Sequence, residues 1–293
     1  MVQSGSHPSA TGFRRQWRDT LEKNGFSLDE GRYPRSSGGE VAYVYIEKAD
    51  HRKLTILFHG TGNDHLFTWQ PMIEALLRAG RNVLSFDLDG HGLGSTTTLI
   101  RASFAGSARD LASFLEQKGL ASYPYELVGY SLGALLVLLG VQSQALKPEK
   151  IILIALPLRV RVGLGFAWNE LLSLLSPAFY QQWRAYGWRE TFPAAGSFRR
   201  RSFPLRLDSA FTGSYPQMVD ELLQEWPPLQ LGRGLSHNCL LIFGSRDRLA
   251  SVPQQKLWRQ AVPHATLVEI ARANHFLLPF QRQTLETITS WIK

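Results

Sequence analysis

The sequence predicts an α/β protein with a mostly parallel central sheet, flanked by helices and interrupted by a helical insertion. Short apolar segments typical of buried strands alternate with segments typical of helices along most of the chain. This alternation stops at about residue 157 and resumes at about residue 237. We therefore predict a flexible leader at residues 1–12, a core domain at residues 13–156 and 237–293, and a helical insertion at residues 157–236.

The predicted elements follow one another in βα order. We expect strands at residues 40–47, 53–58, 82–86, 126–128, 151–155, 239–244 and 266–270, and helices at residues 64–79, at 103–118 and from 134 onwards. The first helix is expected to begin with Asn63 or Asp64 as its N-cap and to end at Gly80, and the second is expected to end at Gly119. A terminal helix follows the last strand, with Pro279 near its first turn.

The predicted insertion is rich in aromatic residues and is broken by prolines. A structureless loop of some eighty residues would be exceptional inside a domain, so this segment should form a helical subdomain.

Composition fits a globular protein and argues against nucleic acid binding. The chain has 293 residues, of which 44% are hydrophobic and 19% charged, as in an ordinary globular protein. Its net charge of +8 raises the question of nucleic acid binding, yet the only tight basic run is at residues 199–201 and no nucleic-acid motif accompanies it. A solvated basic surface is the favoured interpretation, with attraction to acidic substrates or anionic membrane surfaces as the alternative.

The chain shows no targeting or membrane signal. Residues 1–12 lack the apolar region of a signal peptide, and the longest apolar run, residues 134–141, is too short to span a bilayer. The single cysteine, Cys239, excludes an intrachain disulfide and is expected to be a buried, inert thiol. A cytoplasmic location is the resulting expectation.

The most informative segment is residues 129–133, which reads G-x-S-x-G around Ser131. It lies between a predicted buried strand and a predicted buried helix, the context in which a serine at a sharp strand-to-helix turn acts as a nucleophile. The flanking Gly129 and Gly133 fit this context because side chains there would collide with the neighbouring strand and helix. We therefore predict that Ser131 is a nucleophile.

A serine nucleophile needs a base that accepts its proton and a third group that orients the base. Asp247 follows the strand at residues 239–244, and His275 follows the strand at residues 266–270. Asp247 could instead only cap its own loop, but the rival position after residues 151–155 offers no acid. His264 precedes the last strand and so lies at the opposite end of the sheet. Ser131, Asp247 and His275 are the predicted catalytic residues.

At this point the chain resembles the α/β-hydrolase superfamily, in the branch with a helical cap inserted into the sheet domain. The order Ser131, Asp247, His275 is the order of that family. Residues 54–62, which end in His-Gly-Thr-Gly, resemble the family strand that ends in an H-G-x motif. The resemblance implies that the backbone N–H groups of Thr61 and Leu132 form an oxyanion hole.

A second match is the strand followed by D-x-x-G-x-G-x-S at residues 87–95. Asp89 stands where relatives often carry Arg or Pro, so the contacts of that family residue are not assumed here. The three glycines do not have the G-x-G-x-x-G spacing of a dinucleotide loop, and no acidic residue follows at the expected distance. His59 and His91 are expected to hold nearby loops through ring hydrogen bonds.

The resemblance implies a serine hydrolase that acts on an ester or related acyl bond of a small molecule, with no metal or organic cofactor. Hydrolysis of a carbon–carbon bond in a diketone and acyl transfer to an alcohol use the same three residues and stay open. A ligand-binding receptor is the alternative from a different class, because a fold does not fix a function. The sequence leaves the oligomeric state open.

The aromatic residues of the insertion suggest a substrate pocket above Ser131. Trp168, Phe179 and Trp183 are the candidates, because they lie closest in sequence to the strand that enters the insertion. An apolar acyl or ring pocket is the expected result.

Overall fold

An eight-stranded sheet with helices on both faces forms the core of the computed structural model, which describes residues 13–92, 101–160, 201–202, 207–208, 215–235 and 238–293. The strands of this sheet are β1 (Ser27–Pro34), β2 (Glu40–Glu47), β3 (Lys53–Phe58), β4 (Arg81–Phe86), β5 (Tyr125–Tyr130), β6 (Lys150–Ile154), β9 (Asn238–Gly244) and β10 (Thr266–Ile270). A separate antiparallel pair consists of β7 (Arg201–Ser202) and β8 (Leu207–Asp208). The described helices are α1 (Phe13–Lys23), α2 (Gln70–Arg78), α3 (Arg101–Gln117), α4 (Leu132–Gln142), α5 (Tyr215–Glu225), α6 (Pro228–Arg233), α7 (Val252–Ala261) and α8 (Arg282–Ile292), with a 3₁₀ turn at Leu278–Phe280 before α8.

The sheet has the strand order β1-β2-β4-β3-β5-β6-β9-β10. Strand β2 is antiparallel to both of its neighbours, and all strands from β4 to β10 in this order run parallel. The carboxyl ends of the parallel strands therefore share one edge of the sheet, where ligands bind in open α/β folds. The predicted α/β fold with a mostly parallel sheet is confirmed.

Apolar side chains cover both faces of the sheet. Leu127 and Val128, which are neighbours in β5, belong to two different buried clusters because side chains alternate between the faces of a strand. The first cluster includes Leu136 of α4, and the second includes Leu76 of α2 and Ile288 of α8. Burial on both faces explains why the central strands are almost continuously apolar.

Four local features differ from the sequence prediction. Helix α1 and strand β1 were not predicted, and β1 is a polar edge strand whose eight residues all pair with β2. Helix α2 begins at Gln70 rather than near residue 64, because Oδ1 of Asp64 caps a turn by accepting the N–H groups of Leu66 and Phe67. Pro279 lies in the 3₁₀ turn that precedes α8.

Most of the predicted insertion and the whole predicted leader lie outside the described residues. Within the range 157–236, the structure describes residues 157–160, the β7–β8 pair and the helices α5 and α6. The domain boundaries stay a prediction. No helix in the described ranges combines the length and low polarity needed to cross a bilayer.

Candidate active site

Ser131 lies in the turn between β5 and α4, at the carboxyl edge of the sheet. Its backbone has φ 51° and ψ −115°, a left-handed conformation that is rare for a residue with a side chain. The N–H of Ser131 donates to the carbonyl oxygen of Ile154 at 2.8 Å and so fixes the turn to the neighbouring strand. Such strain persists only where the surrounding structure enforces it, as at many functional sites.

The two glycines around this turn are required by close packing. A Cβ atom on Gly129 would lie 2.6 Å from Cα of Ala134. A Cβ atom on Gly133 would lie 2.2 Å from the carbonyl oxygen of Phe58, at the end of β3. This is the crowding that the sequence pattern predicts, and it brings the end of β3 against the start of α4.

His275 connects Ser131 to Asp247. Nε2 of His275 lies 2.9 Å from Oγ of Ser131, and Nδ1 lies 2.8 Å from Oδ2 of Asp247. A carboxylate only accepts hydrogen bonds, so Nδ1 carries the proton and donates it to Asp247. Nε2 is then the nitrogen that can accept the hydroxyl proton of Ser131, and all three side chains are buried.

Asp247 is held by its own loop as well as by the imidazole. Its Oδ1 accepts the N–H groups of Leu249 and Ala250, both at 2.8 Å, while Oδ2 faces His275. The carboxylate therefore caps its loop and orients the imidazole at the same time, with one oxygen for each task. The adjoining strand packs closely on the histidine loop, since a Cβ on Gly244 would lie 2.3 Å from the carbonyl oxygen of Ala273.

Tyr130 is a site residue that the sequence reasoning missed. Its hydroxyl donates to the carbonyl oxygen of His275 at 2.9 Å, and its ring centroid lies 5.5 Å from that of the imidazole. The side chain thereby holds the histidine loop beside the serine turn. Its position directly before Ser131 in the G-x-S-x-G segment was the available signal.

The two predicted oxyanion donors belong to segments that adjoin Ser131. A Cβ on Gly60 would lie 3.1 Å from Cβ of Ser131, so the segment that leads into Thr61 runs directly beside the serine. Leu132 is the first residue of α4, where a backbone N–H has no acceptor within the helix. The positive end of the helix dipole adds to the attraction for a negative charge at this place.

His59 joins this segment to the loop after β4. Its Nε2 accepts the N–H of Leu88 at 2.9 Å, so its Nδ1 is protonated and donates to the carbonyl oxygen of Gly60 at 2.7 Å. Complete burial lowers the pKa of His59, which keeps the imidazole neutral. Nδ1 of His91 donates to the carbonyl oxygen of Asp89 at 2.8 Å. The ring hydrogen bonds expected of both histidines are present.

Two buried carboxylates in the loop after β4 accept hydrogen bonds from other segments of the chain. Asp87 accepts both the backbone N–H and Nδ1–H of His65, at 2.9 Å and 2.7 Å. Asp89, where the sequence departs from the family pattern, pairs with Arg35 through both carboxylate oxygens at 2.9 Å. Arg35 comes from the turn after the edge strand β1, which the sequence did not predict.

Trp168, Phe179 and Trp183, the candidates for the substrate pocket, lie outside the described residues. Across the part of the chain that the structure describes, no group of three or more His, Cys, Asp or Glu side chains is arranged to hold a metal ion.

Comparison with known proteins shows which family the chain matches. A family model described as the alpha/beta hydrolase family matches residues 55–287, well over half of the chain. A curated relative, the "Putative carbamate hydrolase RutD" of Variovorax paradoxus (strain S110), is 32% identical over 96 residues. These residues are 33% of this chain and only 34% of the relative.

Solved structures resemble the chain over nearly its whole length. The Pyrococcus furiosus esterase Pf2001 is 17% identical, with 99% of this chain and 93% of that chain covered and a TM-score of 0.62. The thioesterase domain from the curacin biosynthetic pathway is 18% identical, with 91% and 99% covered and a TM-score of 0.61. At these identities the likeness demonstrates a shared fold.

Proposed function

Because the chain belongs to the α/β-hydrolase family, we propose that it is a serine hydrolase that cleaves a carboxylic ester or related acyl bond. The observation that carries the proposal is the continuous hydrogen-bond series from Ser131 through His275 to Asp247, with distances of 2.9 Å and 2.8 Å. These are the distances at which a base can take the proton of a nucleophile while a carboxylate fixes its tautomer. The substrate is a small, partly apolar molecule.

In the proposed reaction, Oγ of Ser131 attacks the carbonyl carbon while Nε2 of His275 takes the hydroxyl proton. Asp247 stabilises the imidazolium that forms and keeps its orientation. The N–H groups of Thr61 and Leu132 donate to the oxyanion of the tetrahedral intermediate, a contribution worth about 3–4 kcal/mol per donor in comparable sites. The imidazolium then protonates the leaving group, which leaves an acyl-enzyme.

Water completes the cycle by the same steps in reverse order. His275 removes a proton from a water molecule, which attacks the acyl carbonyl, and the proton returns to Ser131 as the acid departs. An alcohol in place of this water would give acyl transfer with the same residues.

The names of the similar proteins support an acyl bond in the substrate. An esterase, a thioesterase and a carbamate hydrolase all act at a carbonyl carbon bonded to oxygen, sulfur or nitrogen. The match to the carbamate hydrolase covers a third of the chain, so a carbamate is included among the test substrates. A diketone is included because cleavage of a carbon–carbon bond uses the same residues.

A fluorophosphonate probe tests the nucleophile directly. Wild-type protein should be labelled, and Ser131→Ala should lose both the label and several orders of magnitude of turnover. Ser143→Ala is the matched control, since this exposed serine follows the other end of α4 and its hydroxyl donates to the carbonyl oxygen of Gly140 in its own helix turn. Wild-type protein that takes no label and turns over no ester, thioester, carbamate or diketone would contradict the proposal and favour a ligand-binding role.

The pocket candidates Trp168, Phe179 and Trp183 give the proposal a substrate preference. If they bind the acyl group, nitrophenyl esters with longer chains should exceed the acetate in kcat/KM, by up to about 0.8 kcal/mol per buried methylene. Replacing one of these aromatics by alanine should weaken this preference more than it weakens acetate hydrolysis. Equal rates for acetyl and octanoyl esters in the wild type and in all three variants would contradict the pocket assignment.

A further inference from the structure

The guanidinium of Arg35 is buried between two carboxylates from different elements. Its Nε and Nη2 donate to the two carboxylate oxygens of Asp89, both at 2.9 Å, and both side chains are only 1% exposed. Its Nη1 lies 2.8 Å from Oδ2 of Asp110 in α3, and the group also donates to Ser107. A bidentate pair of this kind fixes distance and direction together.

A series of contacts connects Asp89 to the proposed active site. Its carbonyl oxygen accepts Nδ1–H of His91 at 2.8 Å, and the ring of His91 packs edge-on against the ring of His59, with centroids 5.2 Å apart. His59 in turn donates to the carbonyl oxygen of Gly60 at 2.7 Å and accepts the N–H of Leu88 at 2.9 Å. The loop after β4 thus holds the imidazole of His59 through a ring contact with His91 and through a hydrogen bond to Nε2.

The carbonyl of Gly60 and the N–H of Thr61 belong to one planar peptide group. Holding the oxygen therefore also fixes the direction of the N–H, which points the opposite way within the same plane. A Cβ atom added to Gly60 would lie 3.1 Å from Cβ of Ser131, so this peptide lies beside the nucleophile.

We infer that Arg35 is a positioning residue, which orients the Thr61 N–H toward the oxyanion through Asp89, His91, His59 and Gly60. The inference rests on the proposed function, because an oxyanion forms only if Ser131 attacks a carbonyl.

The physical cause is the cost of an unpaired buried charge. Without Arg35 the carboxylate of Asp89 would stay buried and uncompensated, which is strongly unfavourable. The loop must then move to hydrate it, and the carbonyl of Asp89 and the N–H of Leu88 move with it. Packed side chains and hydrogen bonds carry this displacement to the Gly60–Thr61 peptide.

Arg35→Met tests the inference in the full-length protein, with kcat and KM measured on the best ester. Loss of a whole oxyanion donor costs about 10²–10³ in kcat, so a misdirected donor should cost about tenfold or more, with KM within about threefold. Affinity for a trifluoromethyl ketone, whose adduct with serine carries the same oxyanion, should fall by the same factor as kcat. Arg35→Lys keeps the positive charge but cannot form the bidentate pair with Asp89, so it should give an intermediate loss of kcat.

Asp110→Asn is the matched control, since it removes the negative charge of the second carboxylate beside the same guanidinium and leaves the Asp89 pair in place. It should keep kcat and inhibitor affinity within about twofold of the wild type. If Arg35→Met does not fold, Asp89→Asn replaces it, because Arg35 then still has Asp110 as a partner. Melting temperatures verify the fold of each variant.

The outcomes separate the inference from the proposed function. Folded Arg35→Met or Asp89→Asn that keeps wild-type kcat and inhibitor affinity overturns the inference alone, as does a loss confined to KM. Wild-type protein that neither takes a fluorophosphonate label nor hydrolyses any acyl substrate overturns both.

Discussion

The same substitution at two helical glycines should have opposite effects. Gly133 lies in the first turn of α4 and Gly106 lies in α3. A Cβ at position 133 would lie 2.2 Å from the carbonyl oxygen of Phe58 and 2.5 Å from that of His59. A Cβ at position 106 would find only Oγ of Ser36, at an ordinary 3.7 Å. Intrinsic helix preference favours alanine over glycine at both positions. The packing around each glycine therefore decides whether the alanine variant is more or less stable than the wild type.

The contact distances set the size of the effect. Because real Cβ contacts stay above 3.0 Å, α4 and the end of β3 must separate by about 0.8 Å in Gly133→Ala, the difference between 3.0 and 2.2 Å. Overpacking of this kind costs about 1–3 kcal/mol beyond the helix gain. Gly106→Ala should gain about 0.5–1 kcal/mol. At about 2 °C per kcal/mol, the first should melt about 2–6 °C lower and the second about 1–2 °C higher.

Activity provides the second readout for this pair. The separation moves Ser131 relative to the Gly60–Thr61 peptide, and a misplacement near 1 Å can cost about 10²-fold in rate. Thermal melts, fluorophosphonate labelling rates and kcat/KM on a nitrophenyl ester measure both effects in the same samples. Equal stability and equal kcat/KM in the two alanine variants would show that close packing at Gly133 does not determine the conformation of the serine turn.

Three further predictions concern Asp247, His59 and Cys239. Asp247→Asn should keep its loop contacts through Oδ1 but present an amide N–H₂ to His275, which favours the wrong tautomer and should lower kcat by about 10⁴ with an unchanged melt; a loss below tenfold would contradict the orienting role. Burial lowers the pKa of His59, so the unfolded chain binds a proton near pH 6.5 that the folded protein excludes, and the free energy of unfolding should decrease from about pH 7 to pH 5. Urea titrations should show a smaller decrease for His59→Asn, and identical pH slopes would refute this account. Burial raises the pKa of the Cys239 thiol to about 12, so a disulfide reagent at pH 8 should react only after denaturation, whereas stoichiometric reaction with native protein would contradict the burial.

Sequence patterns predicted the elements that are buried on both faces. Strands β2 and β3 have the predicted bounds, because continuous apolar runs bounded by polar residues leave little freedom in placing them. The edge strand β10 also has the predicted bounds, although only its last residue, Ile270, is buried. The edge strand β1 was missed because its polar sequence with a glycine and a terminal proline lacks any such run, and pairing with β2 is what makes it a strand. Propensity alone carries little information at an edge.

The contacts of Asp89 show a different limit. A local pattern can reveal that the residue is unusual, but its partner Arg35 lies 54 residues earlier in an unpredicted turn. The strand order that brings β2 beside β4 makes the pair possible, and no local periodicity encodes that order. In contrast, Ser131, Asp247 and His275 each follow a predicted parallel strand, so one rule about strand ends predicted that they share an edge.

The proposed active site is assembled from segments that are far apart in sequence, so its reactivity can report a late step of folding. Ser131 and His275 are 144 residues apart in sequence, and the Tyr130 hydroxyl reaches the carbonyl of that same histidine across 145 residues. Contacts of such separation form late, because the chain must lose the entropy of closing a long loop before they can stabilise it. A refolding chain could therefore regain helix content well before its serine becomes reactive, and the delay between circular dichroism and probe labelling would time the docking of β9 and β10 onto the rest of the sheet.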